Sequence, residues 1–358
     1  MRKILAILII IISSLVLLTA MNQGFINKVK QDRYFEHLTP QDASSQSSYQ
    51  QIFIRSDRWG YGDLYGICYL PQYRLKLIPF RTYNDRSDSA ASTTNRVLYI
   101  IGDSFTADKL LNQAFTGFDK VIFLDRRFPF GPIQLDTTKE NFLIMEFSEL
   151  NVSAYSSKNS TEILSAGVAT ATVKPVSLFS RLGNIIFNKE LSRNIELLLF
   201  DDKIFTPVKE FKAWVNYNFL MRLPKEVAVS TDKNRLLLNT TVDINSPQSV
   251  FRPWSDTAVN ELTHDLAADQ ERYLSMGFKK VFLSLIPNAV SVYDSKRATY
   301  NHLLERVETK TSLPVISVYN IFKADKRNLY SRSDAHWNTL GFEIWVNETN
   351  KVLKANLN

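Results

Sequence analysis

The sequence contains a single cysteine, Cys68, in 358 residues. It therefore forms neither an internal disulfide nor a cysteine-based zinc site. The four histidines lie far apart and form no His-x-x-x-His pair, so we expect no metal and no other cofactor. No segment is dense enough in lysine and arginine to indicate a nucleic-acid partner. The formal net charge of +7 is interpreted as favouring solubility, with weak attraction to an anionic polymer or membrane surface as the alternative.

The N-terminus carries the only long apolar stretch. Arg2 and Lys3 precede about 18 mostly apolar residues, just enough to cross a bilayer as a helix. The apolar core is longer than that of a usual signal peptide, which favours a retained membrane anchor over residues 1–24. A cleavable signal peptide and a buried helix of the globular domain are the alternatives. The two membrane-targeting interpretations both place the rest of the chain outside the cytoplasm, on the periplasmic side.

Beyond the anchor, residues 25–95 are interpreted as a juxtamembrane and N-terminal extension, and residues 96–358 as one α/β domain. Short apolar runs typical of buried strands occur at 96–101, 120–124, 141–147, 280–286 and 315–322. Helical spacing occurs at 107–115, 256–276, 298–310 and 339–354. This alternation predicts a mostly parallel sheet covered on both faces. An insertion at about 150–250, with a helix near 208–223 and a strand at 235–238, interrupts the pattern.

The first chemical motif is Gly102-Asp103-Ser104-Phe105, at the carboxyl end of the first predicted strand and before a predicted helix. In open α/β sheets this edge binds ligands, and a glycine permits the sharp turn. Backbone N–H groups at the start of a helix also stabilise an oxyanion. The alternative is that Asp103 and Ser104 only cap the helix.

The second motif is Ser333-Asp334-Ala335-His336-Trp337-Asn338, just before the last predicted helix. A serine hydroxyl needs a base to become a nucleophile, and an imidazole has a suitable pKa. A carboxylate orients that imidazole and stabilises its protonated form. A capping aspartate beside an incidental surface histidine is the alternative. Two such half-motifs, both at strand-to-helix junctions, favour the catalytic interpretation.

Together with Glu146 at the end of an apolar run, the two motifs resemble the SGNH/GDSL hydrolase superfamily, and in particular its alginate O-acetyltransferase-like branch. The resemblance covers about residues 96–358 without the insertion. It implies a flavodoxin-like three-layer α/β/α sandwich and a triad of Ser104, His336 and Asp334. It also implies acyl-ester chemistry on carbohydrate, either hydrolysis or transfer of acetyl groups.

The sequence departs from that family in several places. Most of the superfamily has Asp-x-x-His, whereas this chain has Asp334-x-His336; the alginate branch has Asp-x-His, but usually ahead of the serine. The family's oxyanion-hole glycine and asparagine blocks are not clear. Asn288, at the end of a predicted strand, is the best counterpart of that asparagine, and we expect it to bind the oxyanion together with the Ser104 backbone N–H.

Arg126, Arg127 and Trp337 are assigned as substrate contacts, with a solvated arginine pair as the alternative for the first two. The resulting prediction is a membrane-anchored O-acetyltransferase or O-acetyl esterase acting on envelope or exported polysaccharide. Family analogy adds a membrane-bound protein that delivers acyl groups as a partner. A non-catalytic carbohydrate-binding or assembly protein is the alternative. The sequence has no glycine-rich phosphate loop, which argues against a third interpretation, a flavodoxin-like nucleotide-binding protein.

Overall fold

The structure is a computed structural model, and it describes residues 2–26, 64, 66–73, 94–107, 111, 113–126, 133–155, 164–165, 191–199 and 205–357. The chain divides into two compact units. The first comprises Met1–Tyr61, Tyr69–Pro71 and Thr172–Arg222, and the second Gly62–Cys68, Gln72–Ala171 and Leu223–Asn358. The boundaries at 171/172 and 222/223 fall inside the predicted insertion at 150–250, so that the insertion contributes to both units.

The strands β1 to β9 are Arg96–Gly102, Lys120–Asp125, Ile133–Gln134, Glu140–Ser148, Leu164–Ser165, Val227–Val229, Leu236–Leu238, Phe278–Ile286 and Val315–Ser317. The helices α1 to α10 are Arg2–Met21, Glu149–Val152, Leu191–Leu199, Thr206–Trp214, Asn239–Val242, Asp256–Ser275, Ala289–Tyr293, Leu303–Lys310, Tyr319–Ala324 and Thr339–Asn356. A 3-10 turn at Pro71–Tyr73 and a π-helical turn at Val215–Phe219 complete the described elements.

The N-terminal helix α1 contains a 19-residue apolar stretch, Lys3–Met21, that is long and apolar enough to cross a membrane. Only 6% of that stretch is buried, so it is not the buried helix of a globular core. Both a membrane anchor and a signal sequence fit this helix. At its end, the Asn194 side-chain amide of α3 donates hydrogen bonds to the Ala20 carbonyl (2.9 Å) and to Gln23 Oε1 (3.1 Å), which joins α3 to α1 within the first unit.

The second unit is built on a five-stranded sheet in the order β2-β1-β4-β8-β9. Every neighbouring pair is parallel, which confirms an α/β domain with a parallel sheet. From Asn141 to Ser148, the central strand β4 is buried along its whole length, as its continuous apolar sequence predicts. Because β1, β4 and β8 run in the same direction, the segments that follow them meet at one edge of the sheet.

Three predicted elements differ from the structure. The predicted strand at 315–322 ends at Ser317 and continues as α9, where the Phe322 N–H bonds the Val318 carbonyl. β9 is an edge strand, and only Val315 to Ser317 pair with β8. The predicted helix at 298–310 begins at Leu303, because His302 takes a left-handed conformation (φ 54°).

The third difference follows Ser104. The described residues of the predicted helix at 107–115 are turns or irregular backbone, so no helix starts there within the described chain. In the insertion, the predicted helix at 208–223 is α4 followed by the π-helical turn. The predicted strand at 235–238 is β7, which pairs antiparallel with β6.

Candidate active site

A tight turn carries Ser104 at the carboxyl end of β1. The N–H groups of Thr106 and Ala107 both bond the Asp103 carbonyl, at 3.3 and 3.0 Å. A Cβ atom at Gly102 would collide with the Glu146 carboxylate and would lie 2.5 Å from Thr106 Oγ1. Glycine at this position is therefore what allows β4 and the turn to approach each other so closely.

A doubled-back loop carries the second motif. Tyr330 and Trp337 form an antiparallel bridge, and the Asn338 N–H donates to the Leu329 carbonyl at 2.9 Å. Asn338 then caps α10, since its Oδ1 accepts hydrogen bonds from the N–H groups of the next turn. His336 thus lies in a loop fixed at one end by this pairing and at the other by a capped helix.

These two segments bring Ser104, His336 and Asp334 into one hydrogen-bonded line. His336 Nε2 lies 2.8 Å from Ser104 Oγ, and His336 Nδ1 lies 2.6 Å from Asp334 Oδ1. The same Oδ1 accepts a hydrogen bond of 2.9 Å from the His336 backbone N–H. The His336 and Asp334 side chains are 31% and 25% exposed, so a substrate can reach them. This is the arrangement in which a base activates a hydroxyl while a carboxylate orients the base.

Trp337 packs on the buried side of this hydrogen-bonded line. Its indole Nε1 donates to the Phe105 carbonyl at 2.9 Å, and the Phe105 ring lies 5.0 Å from the His336 ring and 5.3 Å from the Trp337 ring. Trp337 is only 2% exposed. The indole of Trp337, a residue predicted to contact substrate, packs in the core and joins the Ser104 and His336 segments.

Asp103 is not a free acid beside Ser104. It is 1% exposed, and its Oδ1 accepts a hydrogen bond of 2.9 Å from the Phe105 N–H. Its Oδ2 accepts hydrogen bonds from Ser148 Oγ (2.7 Å), the Ser148 N–H (3.3 Å) and Asn151 Nδ2 (2.5 Å). The carboxylate therefore fixes the Ser104 turn to the segment after β4. Sequence reasoning missed Ser148 and Asn151, because neither lies in a recognisable motif.

Glu146 lies under the same turn. Its Oε2 accepts hydrogen bonds from the Asp103 N–H (3.0 Å) and from Thr106 Oγ1 (2.7 Å). Burial raises the pKa of Glu146 to about 8, and the charge of Asp103 raises it too. The bonds from Thr106 and the Asp103 N–H and the charge of Arg126 act in the opposite direction. Glu146 is therefore largely protonated at neutral pH.

Of the two arginines predicted to meet substrate, Arg127 lies outside the described residues. Arg126 is half-buried, and its Nη1 donates to the Glu146 carbonyl at 2.7 Å. Its guanidinium carbon lies 3.6 Å from the centre of the Phe147 ring. Both contacts are with β4, so Arg126 packs against the sheet next to the Ser104 turn.

Asn288 lies at the same sheet edge, between β8 and α7. Its backbone N–H donates to Glu149 Oε2 at 2.8 Å, and the same oxygen accepts a hydrogen bond from Ser291 Oγ. Burial raises the pKa of Glu149 to about 7, against these hydrogen bonds, which lower it. No described residue is hydrogen-bonded to the buried Asn288 Nδ2. Within the described residues no hydrogen bond joins Asn288 to Ser104, and none occupies the Ser104 backbone N–H.

Within the part of the chain that the structure describes, no cluster of three or more His, Cys, Asp or Glu side chains is arranged to hold a metal ion. No protein-family model, curated protein or solved structure matches this chain. What the site does must therefore be inferred from its own residues and their geometry.

Proposed function

We propose that this chain is a serine-dependent acyl-transfer enzyme of the SGNH/GDSL type, with Ser104 as nucleophile, His336 as base and Asp334 as the group that orients the base. The observation that carries the proposal is the 2.8 Å contact of His336 Nε2 with Ser104 Oγ, continued by the 2.6 Å contact of Nδ1 with Asp334. Histidine and serine are within the reach that proton transfer requires, without any movement of the chain.

In the first half-reaction, His336 Nε2 takes the proton of Ser104 Oγ as this oxygen attacks the carbonyl carbon of an acyl ester. The resulting oxyanion is bound by the Ser104 N–H and the Asn288 side-chain amide. The bond from the carbonyl carbon to the leaving oxygen then breaks, and His336 returns its proton to that oxygen. Ser104 is left as an ester, and a second hydroxyl, from water or a sugar, takes the acyl group by the reverse sequence.

The fold supports this assignment. Numbered along the chain, the sheet has the strand order 2-1-3-4-5, which is the flavodoxin-like order. Opposite faces of β8 contact different helices: Lys280 bonds Asn356 of α10, whereas Phe278 packs on Tyr273 of α6. A register shift after Phe278 places Phe278 and Lys280 on opposite faces. These contacts favour the three-layer α/β/α sandwich that the family resemblance implies.

As substrate we propose an O-acetylated envelope or exported polysaccharide, and as partner a membrane-bound protein that supplies the acyl group. In this proposal α1 is a retained anchor and the triad lies on the periplasmic side. The apolar α1 supports the anchor, and the substrate and partner rest on the family resemblance. A sugar as acceptor makes the protein an O-acetyltransferase, and water as acceptor makes it an esterase.

The proposal is tested by incubating the full chain with 4-nitrophenyl acetate and locating the acetyl group by mass spectrometry. We expect acetyl-Ser104 in the wild type and none in Ser104→Ala or His336→Ala. His264→Ala is the matched control, since His264 is exposed on α6 and makes no contact with the turn. Release of nitrophenolate that is equal in all four proteins would refute the proposal.

The second candidate, a carbohydrate-binding or assembly protein without turnover, is favoured by one observation. The oxyanion-hole glycine and asparagine blocks of the family are not clear in this sequence, and Asn288 is only the best counterpart of that asparagine. A folded wild type that binds an acetylated polysaccharide but never acetylates Ser104 would support this candidate.

A further inference from the structure

Two buried glutamates project from the end of β4 toward the turns on either side of it. Since β4 lies between β1 and β8, its end adjoins both the Ser104 turn and the Asn288 turn. Glu146 and Glu149 are 0% and 2% exposed. Neither carries a proton in the acyl transfer described above, so their burial needs another explanation.

The hydrogen bonds of Glu146 bracket the nucleophile. Its Oε2 accepts one from the backbone N–H of Asp103, directly before Ser104, and one from the hydroxyl of Thr106, two residues after it. The same carboxylate is the group that a Cβ at Gly102 would strike. One carboxyl group, 42 residues further along the chain than Ser104, thus holds the Ser104 turn on both sides of the serine.

Glu149 repeats the arrangement on the other side. Its Oε2 accepts hydrogen bonds from the backbone N–H of Asn288 (2.8 Å) and from the hydroxyl of Ser291 (2.5 Å), three residues later. The spacing matches that of Asp103 and Thr106. The same arrangement therefore occurs twice at this sheet edge. In each case a buried carboxyl group accepts hydrogen bonds from a backbone N–H and a hydroxyl and so fixes the turn that follows a neighbouring strand.

We propose that Glu146 is a positioning residue for the acyl transfer at Ser104, acting in its neutral form, so that its ionisation lowers the activity. This inference rests on the proposed function and adds a means of regulating the same site. The neutral carboxyl accepts both hydrogen bonds without placing a negative charge next to the developing oxyanion. Once ionised, it would repel that oxyanion and the neighbouring Asp103 carboxylate.

Among the described residues, few charged groups act on Glu146. Asp103 faces it from the turn after β1, and Arg126 faces it from the end of β2. From β8 the paired residue is Ser284, which is uncharged. Arg126 also interacts with Asp269 of α6, whose pKa is raised by burial, against the charges of Arg272 and Arg126. Burial and the charge of Asp103 outweigh Arg126, and the pKa of Glu146 is raised to about 8.

The test is the pH dependence of Ser104 acetylation by 4-nitrophenyl acetate, measured between pH 6 and pH 10 on the full chain. We expect the wild-type rate to fall above about pH 8, by up to about tenfold per pH unit. In Glu146→Gln, which keeps a neutral acceptor at the same place, we expect this fall to vanish. A residue with a purely structural role would lower the rate by the same factor at every pH.

Glu308→Gln is the matched control. Glu308 is a half-buried glutamate whose pKa is raised to about 7, and it accepts a hydrogen bond from Ser317 Oγ at 2.9 Å. It lies on α8 and bonds neither turn. We expect the acetylation rate of Glu308→Gln to fall at alkaline pH in the same way as that of the wild type. A profile of Glu146→Gln that superimposes on that of Glu308→Gln would overturn the inference.

If Glu146→Gln does not fold, Thr106→Val is the second variant that tests the inference. The hydrogen bond from Thr106 lowers the pKa of Glu146, so removing it should move the alkaline fall to higher pH. An unmoved fall overturns the inference. Failure of the proposed function itself is distinguishable, because the wild type would then show no acetyl-Ser104 at any pH.

Discussion

The indole Nε1 of Trp337 donates a hydrogen bond of 2.9 Å to the carbonyl oxygen of Phe105, across 232 positions of sequence. Each partner is adjacent to a residue of the proposed triad, Trp337 to His336 and Phe105 to Ser104. The bond therefore ties the His336 segment to the Ser104 segment on their buried side. Any change that breaks it should move the Ser104 and His336 side chains apart.

Trp337→Phe keeps an aromatic ring in the core but removes this bond. We expect the free energy of unfolding to fall by about 1 kcal/mol for the lost hydrogen bond, and by more if the smaller ring leaves a cavity. Acetylation of Ser104 should slow by about ten- to a hundredfold, because small misplacements of reacting groups are costly. Urea denaturation and the rate of acetylation measure the two effects separately.

Trp345→Phe is the control for that variant. Trp345 is also buried and packs against Trp337, with ring centres 5.7 Å apart, but its Nε1 donates to Ser284 Oγ at 2.9 Å and not to the Ser104 segment. We expect a similar loss of stability with little change in acetylation. Equal slowing in both variants would mean that lost stability, rather than the lost Trp337 bond, reduces the rate.

Asp334→Asn should nearly abolish acetylation while the fold is kept. The carboxylate accepts hydrogen bonds from both the Nδ1 and the backbone N–H of His336, and an amide cannot stabilise the imidazolium in the same way. We expect a loss of about 10³- to 10⁴-fold, by analogy with carboxylates in other triads. Asp256→Asn, which removes an exposed carboxylate on α6, should leave the rate unchanged; an unaffected rate in Asp334→Asn would exclude the triad.

Gly341→Ala tests the close approach of α10 to the loop before it. A Cβ at this position would lie 2.6 Å from the Leu329 carbonyl oxygen and 2.9 Å from Trp337 Cβ. Although alanine favours helix, we expect a net destabilisation of about 1–3 kcal/mol from the clash. Asn347→Ala, exposed on the same helix, should instead stabilise the protein slightly, and thermal denaturation of both variants would show opposite shifts.

Glu308 should make stability depend on pH. Its pKa is raised to about 7 chiefly by burial, against the hydrogen bond from Ser317, and also by the charge of Glu305. Because the folded protein holds this proton more tightly than the unfolded chain, its contribution to stability is present below the ordinary glutamate pKa and is lost as pH rises toward 7. We measure the free energy of unfolding by urea denaturation at pH 5 and pH 7. It should fall less in Glu308→Gln than in the wild type, and the difference should be at most about 1.4 kcal/mol per pH unit. Parallel curves for wild type and variant would contradict this.

The fate of α1 is decided by the mass and extractability of the mature protein. If α1 is a retained anchor, the chain keeps its N-terminal segment and stays in the membrane pellet after alkaline carbonate washing. Ile10→Arg should then release it, because an arginine near the middle of the span costs about 3 kcal/mol on insertion scales. A mature chain that begins just after Ala20 would instead show that α1 is a cleaved signal sequence.

Sequence patterns were most reliable where burial on both sides of a strand forces a continuous apolar run. The strands β1, β4 and β8 occupy the centre of the sheet, and each was predicted within a few residues of its bounds. At the edge the same argument failed. The run that begins at Val315 looks like one strand, but only three residues find a partner, and the rest of the segment becomes α9.

Patterns also failed where one side chain sets the local backbone. The helix predicted from Ala298 starts at Leu303, after a left-handed His302 and a cap formed by the Asn301 side chain on the Leu303 N–H. Propensity and apolar spacing do not record such a cap. The predicted helix after Ser104 is likewise replaced by a turn whose N–H groups converge on the Asp103 carbonyl.

The sequence by itself determined the alternation of strands and helices and the identity of Ser104, Asp334 and His336, because hydrophobic periodicity and residue chemistry are local properties. Only the tertiary structure decided that these three side chains meet, that Trp337 is buried beneath them and that Glu146 lies under the nucleophile turn. Those facts depend on contacts between segments far apart in the chain, and on the loss of water around a carboxyl group. Neither these contacts nor this burial exists until the sheet has formed.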